Sequence, residues 1–198
     1  MGNLKQQRLQ GKRVTKPSKC IELSRPPLIQ VLDLSFSYSA YSNPIFTSLS
    51  FEINPGEHLG IVGQSGCGKT TLISLLSGLS KPTSGKILLD GKEPGEFFSN
   101  EENRVGYVGA ESLLISGSIR ENLLYGFITS GLPATPDDET LWKILKGMEL
   151  YDAIRSLPGG LDYRIRETGE GLSSGQKQRL CFARSLIRKP GTLFLDEP

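Results

Sequence analysis

The chain has 198 residues and a formal net charge of +2, with 37% hydrophobic and 22% charged residues. This length predicts one domain, and the composition excludes wholesale disorder and collagen-like repetition. No stretch approaches the roughly 18 apolar residues of a membrane span, and the N-terminus lacks the apolar segment of a secretory signal. We therefore expect neither a span nor a signal in this sequence.

The charge is distributed unevenly along the chain. The first 28 residues carry seven basic side chains and one acidic side chain, whereas the remainder carries 16 basic and 20 acidic ones. Residues 1–27 are therefore interpreted as a solvated basic linker or tail, with contact to an anionic lipid or a nucleic acid as the alternative. The mildly acidic remainder argues against a basic face for nucleic acid.

The first half of the chain alternates strand and helix patterns. Apolar and polar residues alternate over Leu28–Tyr38, and an apolar run at 59–62 leads directly into a glycine-rich stretch. Asp90-Gly91 is a tight hairpin signal. The predicted elements, in chain order, are strands at 28–38, 51–53 and 59–62, a helix at 69–79, and strands at 87–89 and 105–108.

Helical patterns dominate from Ser118 onward. Ser118 and Glu121 have the spacing of a capping box, and Asp137 or Asp138 can cap a further helix. Further helices are predicted at 151–157 and 175–187, before an apolar strand at 192–195. The alternation of strand, helix and strand implies an α/β domain with a mainly parallel central sheet.

A glycine-rich stretch gives the strongest chemical signal. Gly63–Thr70 matches G-x-x-x-x-G-K-[ST], with an apolar strand before it and a helix after it. Its main-chain N–H groups and the helix N-terminus can surround phosphates, Lys69 can reach the outer phosphates, and Thr70 can bind Mg²⁺. The residues predicted to bind nucleotide here are Gly63, Gln64, Ser65, Gly66, Cys67, Gly68, Lys69, Thr70 and Thr71.

A second chemical signal lies at the end of the last predicted strand. Asp196 and Glu197 follow an apolar run, and open α/β sheets bind ligands at the carboxyl ends of their strands. Asp196 is predicted to hold the metal through water. Glu197 is predicted to act as the general base that polarises the attacking water.

A polar helix start lies between these two signals. Leu172–Arg179 contains Ser173, Ser174, Gly175 and Gln176, with either serine as a possible helix cap. Together with the phosphate loop and the Asp-Glu pair, it resembles the Leu-Ser-Gly-Gly-Gln signature of ATP-binding cassette proteins, with Ser174 in place of the first glycine.

The resemblance covers about residues 28–198 and implies an overall architecture. This is a P-loop NTPase (RecA-like) three-layer α/β core with a small antiparallel β part and a helical insert at about 112–185. The cofactors implied are ATP and Mg²⁺.

The resemblance also implies a face-to-face pair of cassettes. Ser173, Gly175 and Gln176 would contact the γ-phosphate bound by a second nucleotide-binding domain, in a homodimer or a heterodimer. An aromatic residue after the first strand would stack on adenine. Tyr38 is the best match for that role and Tyr41 is the alternative.

Two further stretches resemble the exporter branch of the family. They are Gly117–Gly126 and Leu157–Asp162, the second followed by Glu167 and Gly169. In the family these stretches face the transmembrane domains, so Glu167 is a candidate for transmission to that partner. The expected location is the cytoplasmic side of a membrane.

The sequence departs from the family pattern at two places. Ala110 stands where the family has a glutamine that touches Mg²⁺, and Glu111 follows it as a possible substitute. The sequence stops just after Glu197, so we expect a cassette incomplete at its C-terminus, without the downstream histidine.

The predicted function is an ATP-binding and ATP-hydrolysing cassette that powers export. Two alternatives are a cassette that binds nucleotide but hydrolyses it poorly, and a soluble cassette that does not serve transport.

Overall fold

The computed structural model describes residues 5–8, 24–39, 41–100, 103–126, 135–166 and 171–197, and residues 5–8 by their backbone alone. The chain divides into two compact units, Met1–Val105 and Gly106–Pro198, here called unit 1 and unit 2. Each unit is described by itself.

Unit 1 contains strands and two helices. In chain order they are β1 Lys5–Arg8, β2 Ile29–Phe36, β3 Phe46–Ile53, β4 Leu59–Val62, α1 Lys69–Leu76, β5 Ser84–Leu89 and α2 Pro94–Ser99.

Unit 2 is mainly helical. Its elements are β6 Val105–Val108, which begins at the boundary, β7 Gly117–Ser118, α3 Ile119–Leu123, α4 Asp138–Gly147, α5 Tyr151–Arg155, a 3₁₀ turn Gly160–Asp162, β8 Arg164–Ile165, α6 Ser174–Ile187 and β9 Thr192–Leu195.

A three-stranded antiparallel sheet forms the β part of unit 1. Its strand order is β3-β2-β5, with Ile29 opposite both Ile53 and Leu89. Side chains of β2 alternate between the core and the surface at the strand's two ends, as the sequence pattern predicts. The register of β2 slips near Asp33, which has a positive φ of 47°. This sheet is the small antiparallel part that the sequence implied.

Strand β4 pairs with β1 in antiparallel register, with Lys5 opposite Val62 and Arg8 opposite Leu59. The sequence predicts no element within residues 1–27, so this strand was missed. An extended strand carries main-chain donors and acceptors that need partners, and β1 supplies them to β4. The predicted domain boundary near residue 28 stays a prediction.

Helix α1 contributes four buried apolar side chains to the core of unit 1. Leu72, Ile73, Leu75 and Leu76 are buried on it, and the helix ends three residues earlier than the sequence predicts. Its end coincides with Gly78, whose φ of 78° is incompatible with a continuing helix. Helix α2 follows the Asp90-Gly91 turn and buries Pro94 and Phe97.

Strands β6 and β9 are neighbours in unit 2. The main-chain N–H of Asp196 donates to the carbonyl of Val108 at 2.9 Å, and Gly106 lies against Leu193. The two strands therefore run in the same direction. The sequence predicts a mainly parallel sheet. Among the strand pairs of the described residues, β6–β9 is parallel, whereas β1–β4 and β7–β8 are antiparallel.

The helices of unit 2 pack on one another through buried leucine and isoleucine side chains. Helix α6 contacts α3 and α4, and the 3₁₀ turn contacts α3 and α5. The largest fully buried side chains of this core are Ile119, Leu123, Leu141, Leu145, Leu150, Ile154 and Leu180.

Side-chain caps determine where two of these helices start. Ser118 accepts from the N–H of Glu121 at the start of α3, and the Glu121 carboxylate accepts in return, which confirms the predicted capping box. Asp137 caps α4 by accepting from Thr140, so the choice between Asp137 and Asp138 is settled. Within the described ranges, no helix is long and apolar enough to cross a membrane.

Candidate functional site

The glycine-rich loop of unit 1 joins β4 to α1. Residues 63–66 are exposed, and α1 begins at Lys69 after Gly68 as its N-cap. This is the strand, loop and helix order that the motif requires. The first turn of the helix therefore directs its main-chain N–H groups toward the loop, which favours an anion there.

Lys69 extends back across the loop. Its Nζ donates to the carbonyl oxygens of Gly63 and Gln64, each at 3.2 Å. The ammonium group is thereby held over the main chain that would surround a phosphate. Positive charge and N–H donors at one place make a site for a multiply charged anion.

Gly68 has no room for a side chain. Its φ is 101°, and an added Cβ would lie 2.5 Å from Ile45 Cγ2 and 2.9 Å from Phe46 Cζ. The start of β3 is therefore packed directly beneath the end of the loop. A Cβ at Gly63 would likewise collide with Cys67 Sγ. The loop fits a polyphosphate because its backbone, rather than side chains, lines the concavity.

Tyr38 lies beside the first turn of α1. Its ring meets that of Phe36 edge-on at 5.1 Å between centroids, and its hydroxyl is 2.9 Å from Thr71 Oγ1. The side chain is nevertheless exposed, with a relative accessibility of 72%. Tyr41 is fully exposed. Unit 1 thus places Tyr38 beside Thr71 of the helix that follows the phosphate loop, and its role in stacking stays a prediction.

The carboxylate pair of unit 2 follows β9. Asp196 is buried, with 5% relative accessibility, and Glu197 is exposed with a positive φ of 51°. The Tyr107 hydroxyl bonds the Asp196 carboxylate; burial first, and then this carboxylate, raise the pKa of Tyr107. Asp196 is thus buried and in contact with Tyr107, Glu197 is exposed, and the roles assigned to both stay predictions.

The signature-like segment forms the start of α6. Ser173 is the N-cap: its hydroxyl accepts from the N–H of Gln176 at 3.2 Å, and Gln176 Oε1 accepts from the N–H of Ser173 at 2.8 Å. Ser174 is the first helical residue. The choice between the two serines is therefore settled in favour of Ser173. Ser173 and Gly175 are exposed at this helix end.

The segment after β6 contains Ala110, which stands where the family pattern has a glutamine. Ala110 and Glu111 are both exposed, and the carbonyl of Glu111 accepts from Leu113 N at 3.0 Å. The suggestion that Glu111 substitutes for a glutamine stays a prediction. Glu167 and Gly169 lie outside the described residues.

The two exporter-like stretches meet within unit 2. Strand β7 pairs with β8, with Gly117 opposite Ile165, and Arg120 forms ion pairs with Asp138 and Asp162. The Arg120–Asp162 distance is 2.9 Å. Stretches recognised separately in the sequence therefore form one structural element.

Sequence reasoning missed two partners of the predicted site residues. Neither the Thr71 hydroxyl bond to Tyr38 nor the Tyr107 bond to Asp196 follows from a motif. For Tyr107 a partial signal existed, because it alternates along β6 with the buried Gly106 and Val108. The predicted site residues are divided between the two units. Unit 1 contains the phosphate loop and Tyr38, and unit 2 contains Ser173, Gly175, Gln176, Asp196 and Glu197.

These features define a class. A mixed α/β chain with a phosphate loop between a strand and a helix, and with carboxylates at the end of an apolar strand, is a P-loop NTPase domain. A family model described as ABC transporter matches residues 46–198. The chain belongs to the ABC transporter family.

Curated relatives agree with that assignment. The chain is 40% identical over 191 residues to a probable microcin-H47 secretion/processing ATP-binding protein of Escherichia coli, covering 96% of this chain and 26% of that protein. It is 38% identical over 177 residues to antigen peptide transporter 1 of Rattus norvegicus, covering 88% of this chain and 24% of that protein. The chain thus spans about a quarter of the length of these relatives.

A solved structure has a similar fold. A bacterial Atm1-family ABC exporter with ATP bound matches with a TM-score of 0.70 and 28% sequence identity. The match covers 91% of this chain and 30% of that one. By name, the first relative is an ATP-binding protein, the second is a peptide transporter, and the solved structure is an ABC exporter with ATP bound.

Proposed function

We propose that this chain is the nucleotide-binding part of an ABC exporter and that it binds and hydrolyses ATP. The observation that carries the proposal is the position of Lys69, whose Nζ lies across the loop at 3.2 Å from two carbonyl oxygens. A charge held there neutralises the outer phosphates of a nucleotide. The similarity to exporter ATP-binding proteins supports the same reading.

Different residues are proposed to bind the phosphates and the adenine of the nucleotide. Main-chain N–H groups of residues 63–71 would hold the phosphates, and the ring of Tyr38 would stack on the adenine. The loop suits this ligand because a side chain at Gly68 would collide with Ile45 and Phe46. A polyphosphate is therefore held by backbone dipoles and one ammonium group.

The oxygen donors suit Mg²⁺, which prefers hydroxyl, carboxylate and phosphate oxygens. The family resemblance implies Thr70 and Asp196 as ligands of the ion, and we retain them as proposed ligands. The ion, when bound, would neutralise phosphate charge. Glu197 would accept a proton from the attacking water, and its exposure is suited to meeting that water.

A second cassette is the proposed first partner. Ser173, Gly175 and Gln176 are at the N-terminus of α6, where the helix dipole favours an anion and the small residue Gly175 lets a phosphate approach. In the proposed pair, homodimeric or heterodimeric, this helix end contacts nucleotide bound by the other cassette.

Transmembrane domains of an exporter are the proposed second partner. The structural element made by β7, β8 and Arg120 combines both exporter-like stretches of the sequence. We place the chain at the cytoplasmic side of a membrane through that partner. Nucleic acid is not a proposed partner, because residues 29–198 carry more acidic than basic side chains.

The test is a titration with ATP and Mg²⁺ of the 198-residue chain and of Lys69→Ala. We expect the substitution to weaken binding by at least about 100-fold, since a charged hydrogen bond to phosphate is lost in the loop. Lys81→Ala removes an equal charge from an exposed turn and serves as the control. Equal affinity of Lys69→Ala and the parent chain would refute the proposed site.

A second function is favoured by Ala110. A cassette without the glutamine expected there can bind ATP and hydrolyse it poorly. Glu197→Gln separates the two functions, because it removes the proposed base and preserves the side-chain volume. A large fall in phosphate release supports hydrolysis by this chain; background release from both proteins, with ATP still bound, supports the second function.

A further inference from the structure

The hydroxyl of Tyr38 is bonded to a residue of the phosphate-loop helix. Its oxygen is 2.9 Å from Thr71 Oγ1, and the two residues are 33 positions apart in the sequence. Tyr38 has 72% relative accessibility, whereas Thr71 has 6%. An exposed tyrosine can satisfy its hydroxyl with water, so this bond selects one side-chain orientation among several.

A second contact restrains the same ring. Phe36 meets Tyr38 edge-on, with 5.1 Å between centroids and 81° between planes. Phe36 is buried and pairs with Phe46 across β2 and β3. The Phe46 ring in turn lies against Gly68 at the end of the loop. The Tyr38 ring therefore packs on Phe36 and the end of the loop packs on Phe46, and these two buried residues are opposite each other in the β2–β3 pair.

The face of the Tyr38 ring remains available for a ligand. Phe36 approaches at a steep angle, and Thr71 occupies only the hydroxyl. A flat, exposed aromatic face beside a site for phosphates fits a nucleoside base, which stacks with little dependence on its identity.

We propose that Thr71 is a positioning residue, whose hydroxyl orients Tyr38 so that its ring stacks on the base of a nucleotide held by the loop. This inference rests on the proposed nucleotide binding. Holding the ring in its binding orientation before the ligand arrives reduces the conformational entropy lost on binding. Loss of the Tyr38–Thr71 hydrogen bond should therefore weaken the binding only of ligands that carry a base.

Tyr38→Phe is the primary test, because it removes the hydroxyl and keeps the ring. Two probes are titrated against the 198-residue chain: ATP, and inorganic tripolyphosphate, which has no base. We expect Tyr38→Phe to weaken ATP binding about three- to tenfold, the usual effect of losing one hydrogen bond, and to leave tripolyphosphate affinity unchanged. Tyr38→Ala, which removes the ring, should weaken ATP binding further.

Thr71 gives the complementary test. Thr71→Val should weaken ATP binding, and Thr71→Ser, which keeps the hydroxyl, should restore it. The double variant Tyr38→Phe, Thr71→Val should bind ATP no more weakly than Thr71→Val alone, because both changes remove one bond. Additive losses of ATP affinity in the double variant would contradict the proposal.

The outcomes separate this proposal from the proposed function. If the parent chain binds neither probe, nucleotide binding itself fails and so does the proposal. If the parent binds ATP and Tyr38→Phe binds it equally well, only the role of Thr71 is overturned. Equal losses for ATP and tripolyphosphate also overturn it, since they indicate a structural effect on the loop rather than orientation of the ring.

Discussion

Arg184 in α6 forms two hydrogen bonds with Asn122 in α3. Its Nε donates to the main-chain oxygen of Asn122 at 2.8 Å, and its Nη2 donates to Asn122 Oδ1 at 3.1 Å. Nη1 also donates to the carbonyl of Leu113 at 3.0 Å. The guanidinium thus joins the helix that carries the signature-like segment to the stretch after β6. Burial lowers the pKa of Arg184 from its ordinary value, but the group stays protonated.

Arg184→Ala should destabilise unit 2 strongly. Asn122 is fully buried, so removal of the guanidinium leaves its main-chain and side-chain oxygens without these donors. We expect a loss of about 2–4 kcal/mol in the free energy of unfolding. Urea unfolding followed by the fluorescence of Trp142, the single tryptophan, measures it.

Arg179→Ala is the matched control for that prediction. Arg179 is on the same helix, but its bonds to Met148 and Glu149 are 3.4–3.5 Å long and its side chain is 41% exposed. Its loss should cost less than about 1 kcal/mol. Similar losses of unfolding free energy for the two variants would contradict the prediction that the hydrogen bonds of Arg184 stabilise unit 2 more than those of Arg179.

Ser173→Ala should weaken the start of α6. The substitution removes the hydroxyl that accepts from Gln176 N, and cap removals cost about 1 kcal/mol. Ser174→Ala changes the first helical residue, not the cap, and should cost less than about 0.5 kcal/mol. Thermal unfolding of both variants compares them. A larger loss for Ser174→Ala would contradict the assignment of Ser173 as the cap.

Gly68→Ala should damage the phosphate loop more than Gly66→Ala. Both residues have positive φ, so each alanine carries backbone strain of about 1–2 kcal/mol. Only at Gly68 does the new Cβ also meet Ile45 and Phe46, which adds about 1–3 kcal/mol of overpacking. Denaturant midpoints of the two variants measure the difference. Equal denaturant midpoints would show that Ile45 and Phe46 shift to accommodate the added methyl group, which contradicts the prediction of overpacking.

Glu121 should contribute to stability only above acid pH. Its carboxylate accepts from the N–H of Ser118 at 2.6 Å, and this backbone bond, followed by the Ser118 hydroxyl, lowers the pKa of Glu121 below its ordinary 4.5. A lowered pKa in the folded state gives stability that is present above pH 4.5 and lost as the pH falls through the folded value.

Unfolding free energies measured between about pH 3 and pH 6 check this expectation. Glu121→Gln keeps an acceptor and removes the charge, so its stability should fall less steeply toward acid than that of the parent chain. Glu139→Gln removes an equal charge from the first turn of α4 and is the control. Parallel pH profiles for Glu121→Gln and the parent would contradict the prediction.

The phosphate loop could be predicted because local chemistry determines it. Glycine spacing, Lys69 and the apolar residues of β4 are neighbours in the chain, and the helix begins at the predicted residue, Lys69. The same holds for the capping box at Ser118, where donor and acceptor are three residues apart. For α6 the sequence left Ser173 and Ser174 as alternative caps, and the structure selects Ser173. The apolar patterns also located β2 and β9 within two residues of their bounds.

Other features depended on contacts between distant residues. The bond from Tyr38 to Thr71 spans 33 positions, and the bonds of Arg184 to Asn122 span 62, so no local pattern encodes them. The pairing of β1 with β4 depended on which strand edge needed hydrogen-bond partners, a property of the folded sheet. The sequence alone determined the class of site and its local backbone; only the tertiary structure decided which side chains hold its residues in place, because burial and distance exist only after folding.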